Sequence, residues 1–406
     1  MTLILLGFRR FAAFETRAET NVMRHHNSVF HSVQKHVPWA EFERLVSRHK
    51  ADRRVRRLTT KSQFLALLFG QLSGASSLRE IEAGLASHAS RLYHLGGSCP
   101  ARTTLADANA RRPWQVYVDL FAHMSARCTS RTRRHLADAV HILDATRINL
   151  SSLSGDWLKP QKGKWAAKLH LVHDPDADMP VAATVTAQTV NDITPAKAMT
   201  IKPGTTYVFD LAYYDFGWWA ELDRRGCRFV TRLKKNTRLD VTAQTPPPER
   251  SCILSDRVGR LPERMARSRR NPFNAPLREI TVRIASGKVL RLATNDLHTD
   301  ACQIADLYKA RWQIELVFRW IKQNLRIKHF LGTSDNAVRI QIFVALIAYI
   351  LLRLAQDTQR SIARPLTFVR LVRLNLMHRR SIDALQRPQP KPPDNPNQLQ
   401  LKLTQT

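Results

Sequence analysis

From about Val29 to Cys128, apolar residues recur at helical spacing. "WAEFERLVSRHK" separates its apolar residues from its charges and predicts a basic amphipathic helix. "KSQFLALLFGQL" is apolar almost all round and predicts a buried one. In "SSLREIEAGLASH", Ser77 and Glu80 stand at capping-box spacing, which marks a helix start. The breaks "LSGASS" and "LGGSCP" keep the helices short, so this region reads as a small all-helical module. Within it, "ADRRVRRLTT" presents Arg53, Arg54, Arg56 and Arg57 in one exposed stretch.

Between Ala139 and Leu233 the period changes to two. "AVHILDATRINLSSL", "KWAAKLHLVHD", "PVAATVTAQTV", "TTYVFDLAYYD" and "CRFVTRLKKN" are rich in β-branched and aromatic residues and predict strands. The first three lie close enough to form an antiparallel meander. "NDITPAKAMTIKPG" and "FGWWAELDRRG" then leave room for helices before the fourth and fifth. That order predicts an α/β fold, a mixed sheet flanked by helices. Residues 234–299 break the pattern. A Pro- and Arg-rich run is followed by a hairpin-like pair, "REITVRIA" and "KVLRLATND", which suits a β-rich insertion better than a loop. Two helices follow, roughly Thr299–Asn324 and Ala337–Thr358. The most apolar run, "IFVALIAYILL" (Ile342–Leu352), spans 11 residues, too few for a bilayer, and predicts a buried helix.

The expected organisation is a disordered or mis-assigned start over 1–27, with Met23 as a candidate true start. A helical module suited to DNA binding follows over 28–130. A catalytic core in two pieces, 131–233 and 300–375, surrounds the insertion 234–299. A disordered Pro-rich tail is expected over 376–406.

Composition sharpens this picture. The 406 residues include 64 Lys and Arg against 33 Asp and Glu, a net charge of +31. So large an excess, spread along the chain, repels itself unless an anion shares the surface, and nucleic acid is the usual anion. Cys99, Cys128, Cys227, Cys252 and Cys302 are far apart, with no zinc-type spacing, which fits a reducing cytoplasm. The opening "MTLILLGFRRFAAF" has only a short apolar run and no small-residue cleavage site, so no signal peptide is expected.

Against that basic background the carboxylates stand out. Asp144 closes the apolar run "AVHILD" and Asp210 closes "TTYVFD". An acid at the end of a buried strand is costly unless it faces a cleft or a cation. Asp156, Asp192 and Asp215 compete for the same role but do not directly follow an apolar run. Each Asp alone also suits a turn or cap. In "YKARWQIELVFRWIKQNLRIKHF" a single carboxylate, Glu315, sits among cations. At about 100° per residue, Tyr308, Arg311, Glu315 and Lys322 fall on one stripe about 60° wide. Ile314, Leu316 and Phe318 turn to other faces, where they can pack. A plain Arg311–Glu315 ion pair would also fit this spacing. Two strand-end acids joined by one from a helix would suit oxygen-loving Mg²⁺, and paired ions can activate a nucleophile and stabilise a leaving oxygen.

The pattern Y-x-x-R-x-x-x-E-x-x-x-x-x-x-K, filled by Tyr308, Arg311, Glu315 and Lys322, resembles the signature of the insertion-sequence-four family of DDE transposases. "ILDATRINL" is similar to that family's first Asp block. "YVFDLAYYDFGWWAEL" with "GCRFVTRLKKN" is similar to its second, and "AVRIQIFVALIAYILLRL" to its C-terminal helix. "FGQLSGASSLREI" and "YHLGGSCPARTTLADANARR" resemble the N-terminal helical domain of one branch, so the likeness covers about residues 28–375. The resemblance implies an RNase H-like core with a β-rich insertion between second Asp and Glu. Asp144, Asp210 and Glu315 would be catalytic and hold two Mg²⁺ or Mn²⁺ ions. Tyr308, Arg311 and Lys322 would hold DNA phosphates. The implied activity is cut-and-paste transposition, by hydrolysis at terminal inverted repeats and strand transfer to target DNA, by a homodimer on DNA in the bacterial cytoplasm at the nucleoid. Some members cut through a hairpin with a flipped base stacked on an aromatic. No Trp lies between Lys234 and Thr299, and Trp218, Trp219 and Trp312 read as core aromatics. Two other readings fit the same residues: a metal-dependent nuclease without strand transfer, and a retired transposase that only binds DNA as a repressor.

Overall fold

The computed structural model describes residues 27–132, 139–249, 251–264, 270–325, 330–359 and 361–387. The expected irregular start falls outside these residues except for Asn27, and the expected tail falls outside them from 388 onward.

Seven helices come first: α1 (Val29–Gln34), α2 (Trp39–Arg48), α3 (Thr60–Ser73), α4 (Leu78–Ala86), α5 (Ala89–Leu95), α6 (Arg102–Arg111) and α7 (Gln115–Thr132). Their starts follow the capping residues in the sequence. Thr59 accepts from the Ser62 N–H at 3.2 Å and Ser77 from the Glu80 N–H at 3.2 Å. The Glu80 carboxylate closes its half of the box on Ser76, accepting from that backbone N–H at 2.8 Å.

One nine-stranded sheet follows: β1 (Val140–Leu150), β2 (Trp165–Asp174), β3 (Met179–Ala187), β4 (Thr206–Val208), β5 (Arg228–Arg232), β6 (Asp240–Thr245), β7 (Ile253–Arg260), β8 (Leu277–Arg283) and β9 (Val289–Thr294). Its order is β3-β2-β1-β4-β5-β9-β8-β7-β6. The meander β1-β2-β3 is antiparallel, and β4 and β5 add to β1 in parallel. The first five strands thus have the 3-2-1-4-5 order of an RNase H-like core. The strands of 234–299 continue the same sheet, because β9 pairs with β5 from Val230↔Thr294 to Arg232↔Leu292. The anticipated hairpin is β8-β9, whereas β7 arises within the Pro- and Arg-rich run and β6 just before it, where no particular strand was expected. Every residue of β6 is exposed, so apolar alternation could not reveal it.

Short helices α8 (Ile193–Ala198) and α9 (Phe216–Arg224) flank β4 and β5. Four more close the fold: α10 (Ala301–Ala310), α11 (Trp312–Asn324), α12 (Asp335–Asp357) and α13 (Pro365–Leu374). The run "IFVALIAYILL" is the middle of α12, a helix of 23 residues. That length and composition would suffice to cross a membrane, yet 83% of its most apolar window is buried inside the protein. It packs against α1, α3, α6, α7, α11, α13 and β3, so one apolar rod serves both the helical module and the sheet. The Phe343 ring stacks on Trp114 at 6.3 Å and meets Phe121 at 5.9 Å. The Asn336 side-chain amide donates to the carbonyls of Asn109 (2.8 Å) and Arg112 (2.7 Å).

The chain after α13 corrects the expected start of the tail. Leu376, Met377, Ile382 and Leu385 are buried. The backbone N–H groups of Val29 and Phe30 donate to the carbonyls of His378 (3.0 Å) and Leu376 (2.7 Å). Apolar residues at this density give 376–387 a place in the core, and the polar composition that suggested disorder begins after them.

Phe343 is 1% exposed and joins the two halves of the core. Phe343→Ala should therefore lower unfolding free energy by about 3–5 kcal/mol. Urea denaturation checks this, and a midpoint equal to wild type would show that α12 is not the shared core.

Candidate active site

Parallel pairing of β1 and β4 matches Ile142 with Val208. Side chains alternate across a sheet, so Asp144 and Thr146 share the face of Ile142, and Asp210 shares that of Val208. Carrying the register two positions further sets Asp210 level with Asp144 on the face that α11 covers. Asp210 does follow the end of its strand and caps a 3-10 turn, Leu211–Tyr213, accepting from the Ala212 N–H at 2.8 Å. Asp144 does not end its strand as expected. β1 continues to Leu150, with Asp144 opposite Leu171 of β2. What stops is pairing with β4, which ends at Ile142, so the cleft opens at the edge of a continuing strand.

The single helix expected over Thr299–Asn324 is two. α10 and α11 meet at Arg311, where Arg311 N–H bonds the Tyr308 carbonyl (3.2 Å) and Ile314 N–H bonds that of Arg311 (3.3 Å). These are i→i−3 bonds, a tighter turn than the α-helix on either side. α10 lies on β5 and α11 on β1. Arg311, Glu315 and Lys322 then line one cleft of about 540 Å³ with Asp144, Thr146 and Asp210. Tyr308 stands behind Arg311, whose guanidinium carbon is 5.8 Å from its ring centre.

Arg311 bridges two acids. It donates from Nη1 to Asp144 Oδ2 (3.1 Å) and from Nη2 to Glu315 Oε1 (3.0 Å). Lys322 Nζ donates to Thr146 Oγ1 at 2.5 Å. Burial pushes the Asp144 carboxyl up from 3.8 to about 6, and the charges of Asp210 and Glu315 add to it. The Ala145 N–H and Arg311 pull the other way without cancelling the rise. Burial works to lower the Arg311 pKa, but Tyr308, Asp144 and Glu315 outweigh it, so the guanidinium holds its proton more tightly than usual.

The competing acids have other partners. Asp192 takes Lys168 Nζ at 2.7 Å. Asp215 caps α9 through the Trp218 N–H (2.8 Å) and takes Lys197 Nζ at 2.7 Å. Asp156 is exposed on the loop after β1. Thr146 was not singled out in the sequence, although the period of two that selects Asp144 also puts Thr146 on the cleft face; Arg319 and Gln323 complete the wall. Trp218 and Trp219 are buried, as expected for core aromatics, but Trp312 is 51% exposed and Leu316 46%. α11 buries the side bearing Ile314, Val317, Phe318 and Ile321, and Trp312 and Leu316 point away from it.

Among the described residues, no three Asp, Glu, His or Cys side chains meet closely enough to hold one metal ion. Arg311 lies between two of the acidic groups, and Arg319 and Lys322 add positive charge to the same cleft.

Residues 136–351 match the family model described as Transposase DDE domain, and residues 25–98 match a domain of unknown function (DUF4372). A Sinorhizobium fredii protein assigned by name as the transposase y4zB is 41% identical over 302 residues, covering 73% of this chain and 83% of that protein. A Geobacillus stearothermophilus protein, named a probable transposase for insertion sequence element IS5377, is 29% identical over 273 residues, 64% of this chain and 69% of its own. A piggyBac transposase synaptic complex with hairpin DNA aligns at a TM-score of 0.43 and 12% identity over 93% of this chain and 86% of that one, too distant to carry an argument. The chain belongs to the DDE transposase family and is an insertion-sequence transposase. Enzymes of this family work with divalent metal ions.

Asp144 binds its proton more tightly folded than unfolded, so its ionisation costs stability as pH rises from about 4 to 6. In EDTA, Asp144→Asn should melt higher than wild type at pH 8, by about 1–3 kcal/mol, with the gap closing near pH 4. Equal melting at both pH values would mean that Arg311 already compensates the charge.

Proposed function

We propose that Asp144, Asp210 and Glu315 are the catalytic carboxylates, and that they act by hydrolysing phosphodiesters at the transposon ends and then joining those ends to target DNA. The observation that carries this reading is the convergence of Asp144 of β1, Asp210 just past β4 and Glu315 of α11 in one cleft. The donor set fits a divalent ion of the Mg²⁺ or Mn²⁺ kind: all three ligands are hard oxygens, and their crowding favours a cation among them. Two such ions, when bound, would lower the charge on the scissile phosphate and ease ionisation of the attacking water or 3′-hydroxyl.

The remaining groups act on DNA. Arg311 would leave Asp144 and Glu315 when metal arrives, and its fork could then grip a phosphate. Lys322, held by Thr146 beside the acids, fixes a second phosphate as a point charge. Tyr308 backs Arg311 and limits where its guanidinium can turn. The loop before α3 carries Arg53, Arg54, Arg56 and Arg57, all exposed, and offers the helical module its own contact with the duplex backbone. Two transposon ends call for a homodimer assembled on DNA, working in the bacterial cytoplasm where the nucleoid lies.

The test is Mg²⁺-dependent cleavage of a duplex carrying the terminal repeat, comparing wild type with Glu315→Gln. Loss of even an outer partner of a metal site costs about 10–100-fold. The variant should lose at least that much cleavage while still binding the duplex. Undiminished cutting would reduce Glu315 to an ion-pair partner of Arg311. Binding without cutting by both proteins would favour a repressor without chemistry.

A further inference from the structure

The loop after β5 is built with unusual care for a surface segment. β4 and β5 are parallel and pair Val208 with Val230, so Arg232 stands level with Asp210, and the chain leaves β5 at the carboxylate end of the sheet. Thr231 Oγ1 reaches the Asp210 carbonyl at 3.5 Å. Residues 234–238 follow, with Lys234, Lys235, Asn236 and Arg238 exposed.

One guanidinium shapes this loop from behind. Arg291 of β9 donates from Nη1 to the carbonyls of Lys234 (3.0 Å) and Lys235 (2.9 Å), and from Nη2 to that of Thr237 (3.0 Å). Its Nε and Nη2 also bind the Glu279 carboxylate, at 2.8 and 2.9 Å. Glu279 is 1% exposed and takes a second arginine, Arg257, at 2.9 Å. These arginines hold its pKa down against the cost of burial. Tyr214, four positions beyond Asp210, hydrogen-bonds Thr237 Oγ1 at 2.6 Å and faces Lys234 Nζ with its ring at 4.3 Å. With the carbonyls tied inward, the side chains of Lys235 and Arg238 are left to solvent. Among the described residues neither has a carboxylate partner.

A buried acid that orients an arginine, which in turn binds three carbonyls, is an expensive way to hold a solvent loop. It is explained if the loop must present its cations at fixed positions. We propose that residues 234–238 form a phosphate-binding rim that holds the backbone of the DNA strand beside the carboxylate cleft, with Arg291 and Glu279 as positioning residues. This rests on the reading of the cleft as the place where DNA is cut. Lys235 and Arg238 supply the charge, Asn236 a neutral donor, and the fixed backbone makes the grip indifferent to base sequence.

The test is the salt dependence of binding to a short fluorescent duplex of the terminal repeat, in EDTA, for wild type, Lys235→Ala/Arg238→Ala and Arg291→Lys. Two lost phosphate contacts should flatten the slope of log K against log salt by about 1.8 and weaken binding by more than about tenfold at physiological salt. The melting temperature of the double variant should stay unchanged, since both side chains are exposed. Arg291→Lys keeps the charge but loses the planar fork, and should flatten the slope in the same way. A double variant with wild-type slope and affinity overturns the rim, whether or not Arg291→Lys folds. If wild type itself binds the duplex without salt dependence, the reading of the whole protein as a DNA-acting enzyme fails first.

Discussion

Like charges held close together set the terms for the rest of this structure. Asp144, Asp210 and Glu315 face one cleft, and no folded chain gathers three carboxylates without opposing their repulsion. Burial and the two neighbouring acids raise Asp144 to about 6 even with a guanidinium attached. The fold answers with rigid supports. Pairing with β2 holds Asp144, the turn after β4 holds Asp210, and α11, backed by α12, holds the glutamate. Arg311 then supplies positive charge from the turn where α10 becomes α11, and its fork reaches both a strand acid and the helix acid.

The supports extend well beyond the cleft. α12 is buried by the helical module on one side and by β3 and α11 on the other, so motion in either would be felt by both. Toward the far side of the sheet, buried ion pairs join the apolar packing of Ile253, Ile280 and Leu292. Arg278 binds Asp256 at 2.7 Å, and Glu279 binds Arg257 and Arg291. Such pairs contribute little net stability but strongly penalise any arrangement that separates them. They suit a region whose task is to hold loops in place, and the strands they join bring Arg291 to the loop beside Asp210.

The parts of this design that could be read from the chain are those governed by short-range periodicity. The period of two identified β1 to β5, and the period of 3.6 put Arg311, Glu315 and Lys322 on one stripe, which the cleft retains despite the break at Arg311. Tertiary choices were not legible. Thr146 gains a role only because Lys322 arrives from α11. Trp312 was expected in the core because it is aromatic, yet which face of α11 is buried depends on where β1 and α12 lie. β6 escaped notice because an exposed edge strand needs no apolar residues, and Leu376 to Leu385 because proline beyond them coloured the whole tail.

In a chain of net charge +31, the cleft sets three carboxylates against Arg311, Arg319 and Lys322, so its lining is formally balanced while the rest of the chain is basic. Cations spread over the surface draw a polyanion in from any direction and release its counterions, which gives affinity without selecting a bond to cut. At the cleft itself Arg311 is engaged by two acids, while Arg319 and Lys322 line the same wall. On the proposed assignment, DNA is gripped first by the surface, and metal ions arriving with it would release Arg311 from the carboxylates. The carboxylate charge that Arg311 offsets would then hold the metal.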